Sequence, residues 1–323
     1  MASIYKKILP KRLYNYLHLR RHPIPMNLTD KEREEGLTAL YKEKTGRDLD
    51  FSDLKLFSEK LQWYKLYYGH PDLHRIVCKY EFKKYIEEKL GPGHTVPLIG
   101  AWTKVEDVPW DSFPKKFVLK SNCQSDGKFM LIVRDKDSLR FDDVKEELAR
   151  WLKPKKTLIN SYCRAYYDVT PMILAEEYIE QIDGQVYDYK FFCFDGEPLL
   201  FKIDFDRFST HRANYYDRDL NLLPWGESVY PPDPNFDPLD QGMLTMDVVQ
   251  EMFDTAKILC KDFPFVRVDF YYYDHQIKLS EMTFYPSGGF HDISLETEKD
   301  WGERFHLPAK QPLGRKYRLD LDY

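Results

Sequence analysis

The stretch that decides the fold is FVRVDFYYYDHQIKLSEMTF, residues 265–284. Two runs rich in β-branched and aromatic residues, 265–273 and 276–284, flank Asp274 and His275. Strands of this length, separated by two turn-forming residues, are typical of a β-hairpin. The sequence therefore predicts two antiparallel strands joined by a tight turn.

Four polar side chains alternate along this hairpin. Arg267 and Asp269 are two residues apart on the first strand, so they share one face of it. Glu281 and Thr283 do the same on the second strand. If the turn pairs the strands, Asp269 lies roughly opposite Glu281. Facing carboxylates repel unless a cation lies between them, and oxygen ligands beside an arginine suit Mg²⁺ that bridges phosphates. The plain alternative is a surface hairpin whose acids face water.

Short apolar runs upstream of the hairpin predict further strands, and helical spacing fills much of the rest. The predicted strands are 95–102, 117–120, 129–133, 172–178, 186–194 and 198–205. The predicted helical regions are 29–90, 142–152 and 243–260. A polar loop, 121–128, joins one pair of strands, and Asp195 and Gly196 form a tight turn in another. The sheet around these turns is predicted to be antiparallel.

The composition excludes several classes of protein. The chain has 323 residues, 43% of them hydrophobic, which suffices for a sizeable core and argues against disorder. A net charge of -5 gives no overall basic footprint for nucleic acid. No apolar run is long enough to span a membrane, and the first twenty residues lack a secretory signal. Five widely spaced cysteines without a C-x-x-C pair fit a reducing cytoplasm.

The first 27 residues are locally basic. Six lysines and arginines precede the first acid, Asp30, and apolar residues lie between them. This pattern fits a segment that rests on an anionic membrane surface, which would make the protein peripheral at the inner face of the membrane. It also fits a helix that packs on the body of the protein with solvated lysines, and both readings stay open.

Common short signatures for P-loops, dinucleotide sites, hydrolases and zinc peptidases do not occur in the sequence. What remains is a set of charged residues at strand ends. Lys120 ends a predicted strand and precedes the loop 121–128, where a lysine beside backbone N–H groups can bind phosphate oxygens. Glu176 and Glu177 are adjacent acids on another strand, and acids in such a pair are commonly just solvated.

These elements occur in an order that resembles the ATP-grasp superfamily. More narrowly, they resemble the TupA-like ATP-grasp family, named for a protein of teichuronopeptide synthesis, over about residues 50–295. The motifs that carry the resemblance are FSEKLQWYKLYY, FVLKSNCQSDGK, LAEEYIE, DYKFFCFDGEP, DFDRFSTHRANYYD, DFPFVRVDFY and EMTFYPSGGF.

The resemblance implies an α+β ATP-grasp fold, in which two α+β subdomains grip ATP beside a helical N-terminal region. It divides the chain into four parts. These are a basic helical extension (1–50), a small helical or α/β region (51–105), a subdomain with the phosphate-covering loop (106–180), and a subdomain with the metal site and C-terminal tail (181–323).

The resemblance also implies roles for individual residues, with ATP and Mg²⁺ as cofactors. The residues matching nucleotide contacts are Lys79, Lys120, Ser125, Gly127, Lys128, Glu176, Glu177, Ile179 and Asp188. Those matching metal ligands are Asp269, Glu281 and Thr283, and the catalytic cations are Lys120, Lys190 and Arg267. The residues expected to meet the acceptor are Arg207, His211, Arg212 and Asn214. Thr283 departs from the asparagine of most ATP-grasp enzymes, which leaves the second Mg²⁺ open.

The function implied is an ATP-dependent carboxylate–amine ligase, which forms an amide through an acyl phosphate and releases ADP. The acceptor would be a uronic acid or an amino acid of a cell-surface polysaccharide such as capsule, and the amine an amino acid or amino alcohol. A kinase that phosphorylates a saccharide hydroxyl is the first alternative. A non-catalytic saccharide-binding module is the second.

Overall fold

The computed structural model describes residues 29–124, 129–153, 161–167, 169–180, 187–206, 210–225, 227, 229–239 and 244–311. The basic segment 1–27, with its predicted membrane contact, lies outside these residues. Within the described ranges, none of the helices combines the length and the apolar character that crossing a membrane requires.

Seven α-helices are present in the described residues. They are α1 (Asp30–Thr45), α2 (Phe57–Tyr67), α3 (Leu73–Val77), α4 (Lys79–Leu90), α5 (Phe141–Trp151), α6 (Met246–Cys260) and α7 (Leu295–Arg304). The predicted helical character of the first third of the chain is therefore confirmed for α1 to α4. Helix α4 matters for the site because the backbone N–H of its first residue, Lys79, donates to the carbonyl of Asn122, which fixes that helix end beside a strand.

A four-stranded antiparallel sheet forms the first half of the fold. Its strands are β1 (Leu98–Trp102), β2 (Phe117–Ser121), β3 (Met130–Val133) and β4 (Ile173–Glu177), in the order β1-β4-β2-β3. The predicted hairpin of β2 and β3 is confirmed, with Lys120 opposite Met130. The predicted boundary at 105 falls after β1, although β1 pairs with β4 in this sheet. Helix α5 covers the sheet through the buried side chains of Val144, Leu148 and Trp151.

A five-stranded antiparallel sheet forms the second half. Its strands are β5 (Asp188–Phe194), β6 (Glu197–Phe205), β7 (Arg212–Tyr216), β8 (Phe265–Tyr273) and β9 (Gln276–Thr283), in the order β7-β6-β5-β8-β9. The sequence did not predict β7. The turn at Asp195 and Gly196 is confirmed, and an added Cβ on Gly196 would lie 2.8 Å from the carbonyl of Lys261, so only glycine fits there.

The two faces of this second sheet differ in polarity. On one face Phe191 and Phe201 pack against Phe253 of α6, with ring centroids 4.9 and 5.9 Å apart. The other face carries a row of polar residues, one from each strand and paired from neighbour to neighbour: Tyr215, Lys202, Lys190, Asp269 and Glu281. We call this side the polar face. It forms because side chains alternate along each strand, so one buried apolar set leaves the other set on the opposite side.

The hairpin of β8 and β9 contains a β-bulge that sets the register of the polar face. Asp274 and His275 both have positive φ, 48° and 56°, as expected of a two-residue hairpin turn. Counting pairs from that turn without interruption would place Ser280 opposite Asp269. The register shifts between Asp269 and Phe270, so Ser280 is the extra residue and Glu281 lies opposite Asp269. The bulge therefore turns both carboxylates to the same side.

Candidate active site

A cleft of about 190 Å³ lies between the two sheets. Residues of both sheets and of α4 line it, which places the predicted phosphate and metal residues around one space. The charged residues that line the cleft are Lys79, Lys120, Asp188, Lys190, Arg267, Asp269 and Glu281.

Arg267 lies between the two carboxylates of the hairpin. Its Nε and Nη2 donate to the two oxygens of Asp269 at 2.7 and 2.6 Å, which is a bidentate contact. The same Nη2 donates to Glu281 Oε1 at 3.2 Å and to Thr283 Oγ1 at 3.4 Å. The hairpin therefore brings all four predicted residues together. The guanidinium contacts both carboxylates, and its positive charge reduces their mutual repulsion.

The two carboxylates have different protonation behaviour. Burial raises the pKa of Asp269 to about 6, against the opposing effect of Arg267. Burial would also raise the pKa of Glu281, but Lys79 and Arg267 outweigh it and hold that pKa well below its usual range. Glu281 is thus held in its ionised form, whereas burial opposes the ionisation of Asp269 and a further cation nearby would favour it.

Three lysines near the cleft are held by acids. Lys79 donates to Glu281 Oε2 at 2.9 Å. Glu176 accepts Lys120 at 2.5 Å on one oxygen and Lys83 at 2.7 Å on the other. Burial would raise the pKa of Glu176, but Lys120 and Lys83 lower it to about 2. This buried glutamate is therefore the counter-charge of two lysines, which excludes the plain alternative that Glu176 is simply solvated, and its nucleotide contact stays a prediction.

Lys190 joins the cleft to the rest of the polar face. Its Nζ donates to Asp188 at 2.8 Å and also to Asp204 on β6. Asp188 and Asp204 therefore neutralise a lysine whose strand partner is Asp269. A cation in this position can contact a negatively charged group that lies over Asp269.

A family model for TupA-like ATPgrasp proteins matches residues 59–306. The chain belongs to the TupA-like ATPgrasp family. Membership confirms the expected family and, with the two antiparallel sheets, the expected α+β ATP-grasp fold. ATP and Mg²⁺ are the cofactors of that superfamily.

Solved structures similar to this chain include three enzymes. D-alanine–D-alanine ligase from Helicobacter pylori is 13% identical over 72% of this chain, with a TM-score of 0.37. Phosphoribosylamine–glycine ligase from Thermotoga maritima is 15% identical over 68%, with a TM-score of 0.40. The biotin carboxylase domain of 2-oxoglutarate carboxylase from Hydrogenobacter thermophilus is 15% identical over 71%, with a TM-score of 0.41. The chain spans 61%, 51% and 45% of those chains, respectively. No curated protein shows a significant match to it.

The donor set of this TupA-like chain fits a hard divalent cation that shares its coordination with phosphate. Asp269 and Glu281 supply carboxylate oxygens on one side of the hairpin, and Thr283 Oγ1 lies 3.3 Å from Glu281 Oε1. No cluster of three or more His, Cys, Asp or Glu side chains with metal-site geometry occurs among the described residues. Two acids and a hydroxyl are too few to enclose Mg²⁺, so phosphate oxygens and water would complete the shell.

The remaining nucleotide residues are only partly described. Ser125, Gly127 and Lys128 of the predicted phosphate-covering loop lie outside the described residues. Glu177 ends β4 with an exposed side chain, and Ile179 follows in the segment that leaves this strand. Their backbone lies at and just beyond the C-terminal end of β4, an inner strand of the four-stranded sheet, and the family resemblance puts the adenine contacts there.

The four residues expected to meet the acceptor are not equivalent. Arg207 lies outside the described residues. His211 lies at the rim of the polar face, where Nε2 is 3.1 Å from Asp204 Oδ1, and Arg212 is held by Asp206 and Asp233. Asn214 differs from expectation because it is fully buried.

The amide of Asn214 holds the loop after β7 in place. It donates to the carbonyl of Asp233 at 2.7 Å and accepts from the N–H of the same residue at 2.8 Å. Both its amide oxygen and its amide nitrogen form hydrogen bonds within the protein, so Asn214 has a structural role in the described chain.

Sequence reasoning missed four charged residues: Lys83 beside the cleft, and Lys202, Asp204 and Glu227 at the polar face. Lys83 shares Glu176 with Lys120, and Lys202 donates to Glu227 at 2.7 Å. Lys202 and Asp204 are two residues apart on β6, the same alternation that singled out the hairpin, so this pair could have been found. Glu227 lies on a loop far along the chain, and no local pattern identifies it.

Proposed function

We propose that this protein is an ATP-dependent carboxylate–amine ligase that forms an amide and releases ADP and phosphate. The acceptor proposed is a uronic acid or an amino acid of a cell-surface polysaccharide. The observation that carries the proposal is the convergence of three cations and two opposed carboxylates on one cleft between the sheets: Lys79, Lys120, Arg267, Asp269 and Glu281. The family of the chain agrees with this chemistry.

The roles follow from position. Lys79 and Lys120 bind phosphate oxygens from α4 and β2, and Arg267 holds two oxygens of the transferred phosphoryl group with its planar fork. Asp269, Glu281 and Thr283 hold Mg²⁺. MgATP, when bound, supplies an electrophilic phosphoryl group whose charge the metal partly neutralises. Lys190 keeps the acceptor carboxylate near that group. The protein thus contributes position and fixed charge.

Every one of these cations is already held by an acid. Lys79 contacts Glu281, Lys120 contacts Glu176, and Arg267 contacts Asp269. Phosphate without metal would take Lys79 from Glu281 and leave that carboxylate to share Arg267 with Asp269, whereas metal without phosphate would leave Lys79 unpaired. Binding of the two together exchanges partners without stranding a charge. We therefore expect metal and nucleotide to bind with strong positive coupling.

The test is a product analysis with γ-labelled ATP and Mg²⁺. Candidate uronic acids and acidic amino acids are supplied with and without amino acids or amino alcohols. A ligase gives ADP and free phosphate in step with an amide, only when acid and amine are both present. Hydroxylamine in place of the amine should trap the acyl phosphate as a hydroxamate.

Two other results would contradict the proposal. Label that stays on the acceptor identifies a kinase, and no measurable affinity for MgATP favours a saccharide-binding module. Glu281→Gln is the control for each positive result, because turnover that survives this substitution does not come from the proposed site.

A further inference from the structure

A serine, a histidine and a glutamate lie in contact, one after another, at the far end of the polar face. Ser287 Oγ lies 3.3 Å from His291 Nδ1, and His291 Nε2 lies 3.2 Å from Glu227 Oε1. Ser287 is exposed, whereas His291 and Glu227 are buried. A nucleophile in contact with a base, which is in turn oriented by an acid, is the arrangement that activates a hydroxyl group.

The contacts of Glu227 decide which ring nitrogen of His291 carries the proton. Glu227 Oε1 also accepts from Lys202 Nζ at 2.7 Å and from the hydroxyl of Tyr215 at 2.5 Å, so it is an ionised carboxylate that only accepts. Nε2 faces this carboxylate and also lies 3.3 Å from the hydroxyl oxygen of Tyr215, whose proton is directed to Glu227, so both neighbours are acceptors and Nε2 is the donor. In the neutral ring this leaves Nδ1 as the acceptor, and Nδ1 is the atom that faces Ser287. The ring thus has the tautomer that a general base requires.

The backbone presents this serine in a constrained turn. Ser287 has φ 51° and ψ 29°, and Gly288 and Gly289 continue the left-handed conformation with φ of 64° and 80°. A residue other than glycine in this region costs about 1 kcal/mol or more, and such residues cluster at functional sites. An added Cβ on Gly288 would have no neighbour within 4 Å, so the turn is open to an incoming molecule on that side.

The turn is held from beneath by α2. Gln62 Nε2 donates to the carbonyl of Gly289 at 2.7 Å, and Gln62 Oε1 accepts from the buried Lys65 at 2.7 Å. An added Cβ on Gly289 would lie 2.8 Å from that Gln62 nitrogen, so the contact leaves no free space. The exposed hydroxyl therefore has a fixed support, which a nucleophile needs in order to keep its geometry.

Lys202 joins this cluster to the rest of the polar face. It contacts Glu227 and Asp204, and it lies on β6, two strands away from Asp269 on β8. With neighbouring strands about 4.8 Å apart, β6 and β8 are about 10 Å apart. The two sites share one face of one sheet without sharing a side chain.

We propose that Ser287, His291 and Glu227 form a nucleophilic serine site that accepts an acyl group from an activated acyl donor, such as an ester. Ser287 Oγ attacks the carbonyl carbon and forms a C–O bond while its proton passes to His291 Nδ1. The bond from that carbon to the leaving oxygen breaks, and His291 returns the proton to the leaving group. Glu227 stabilises the imidazolium between these steps. Water, deprotonated by the same nitrogen, then attacks the acyl carbon. The C–O bond to Ser287 breaks, His291 returns the proton to Ser287 Oγ, and the acyl group leaves as a carboxylic acid.

The experiment uses the full chain, p-nitrophenyl acetate and no ATP, so its outcome does not depend on the ligase proposal. We expect release of p-nitrophenolate and an acetyl group mapped to Ser287 by mass spectrometry. His291→Gln should slow acetylation of Ser287 by about 100-fold, because it removes the base but can keep a donor toward Glu227. Glu227→Gln should slow it by a smaller factor, since the ring loses its orienting charge.

Two control variants, one at Ser287 and one at a distant serine, keep the result interpretable. Ser287→Gly removes the hydroxyl and also the strain of a positive φ, so loss of reaction with an unchanged or higher melting temperature cannot come from unfolding. Ser138→Ala, on the exposed segment after β3, should react like the parent. Absence of acetyl from Ser287, or equal acetylation of Ser287 in the parent and in His291→Gln, would overturn the proposal. MgATP binding should be the same in the Ser287→Gly chain and the parent, which separates this site from the nucleotide cleft.

Discussion

The two ends of the polar face use the same chemistry in different surroundings. At the phosphate end, the side chains of Lys79 and Glu281 are 19% and 26% exposed. At the far end, Lys202 and Glu227 are 5% and 6% exposed. Both are lysine–carboxylate pairs with contacts below 3 Å. Solvent exposure therefore distinguishes the two ion pairs, because only a pair that a ligand can reach is able to exchange partners.

Burial also determines how much stability the protein loses when the ion pair at either end is broken. A buried charge that loses its partner keeps its desolvation penalty, whereas an accessible one regains water. The far end should therefore govern stability, and the phosphate end should govern binding. Substitutions of the charged residues test this division between stability and binding.

Lys202→Met should give the largest change in stability. It leaves Asp204 and Glu227 buried with one cation fewer, so we expect a loss of about 4 kcal/mol in the free energy of unfolding. Urea unfolding measures it. The matched control is Lys257→Met, which removes an exposed pair with Glu197 and should cost less than about 1 kcal/mol. Equal losses in the two variants would end the proposed division between the two regions.

Glu176→Gln should remove a pH-dependent part of the stability. The folded chain lowers the pKa of Glu176 from 4.5 to about 2, so its contribution is fully present above 4.5 and is lost as the pH falls towards 2. That contribution is about 3 kcal/mol. The free energy of unfolding of the parent minus that of Glu176→Gln should shrink over this window. A difference that does not vary with pH would show that Lys83 and Lys120 do not depend on this charge.

Glu281→Gln should abolish metal-dependent turnover and weaken Mg²⁺-dependent nucleotide binding by about 100-fold, which is about 2.8 kcal/mol. Stability should also fall, because Lys79 and Arg267 hold the pKa of Glu281 well below its usual range and the substitution removes that charge. Calorimetric titration with MgATP and a melting curve measure the two effects. A lowered melting temperature with intact binding would show that Glu281 stabilises the fold and does not hold the metal or the nucleotide.

Lys120→Ala should weaken MgATP binding by about tenfold or more, since one charged contact is worth about 1.4 kcal/mol. Lys83→Ala is the matched control. Both lysines contact Glu176, but only Lys120 is among the residues that line the cleft. Similar affinities for the two variants would remove Lys120 from the phosphate site.

Local patterns in the sequence were sufficient for the elements and for one half of the site. Period-two alternation predicted the hairpin of β8 and β9 and placed Arg267 beside Asp269, because strand geometry dictates which residues share a face. The turn residues Asp195 and Gly196 predicted the hairpin of β5 and β6. Strand β7 was missed because RANYY was interpreted only as a set of possible acceptor contacts.

Contacts between charged residues of distant segments could not be predicted from local patterns in the sequence. Glu176 meets Lys83 of α4 and Lys120 of β2, and Glu227 meets His291, but no periodicity relates such positions in the chain. Desolvation also depends on how completely the fold covers a group. The buried state of Glu176, which turns an ordinary acid into a counter-charge for two lysines, is a property of packing.

By itself, the sequence determined that Arg267 shares a strand face with Asp269 and that Glu281 shares one with Thr283. Only the tertiary structure decided that these two faces are the same one. The turn alone would pair Asp269 with Ser280 and direct Glu281 to the opposite side, and the bulge at Ser280 corrects this. The physical reason is that side chains alternate with a period of two, so one extra residue in a strand reverses the side on which every later residue lies.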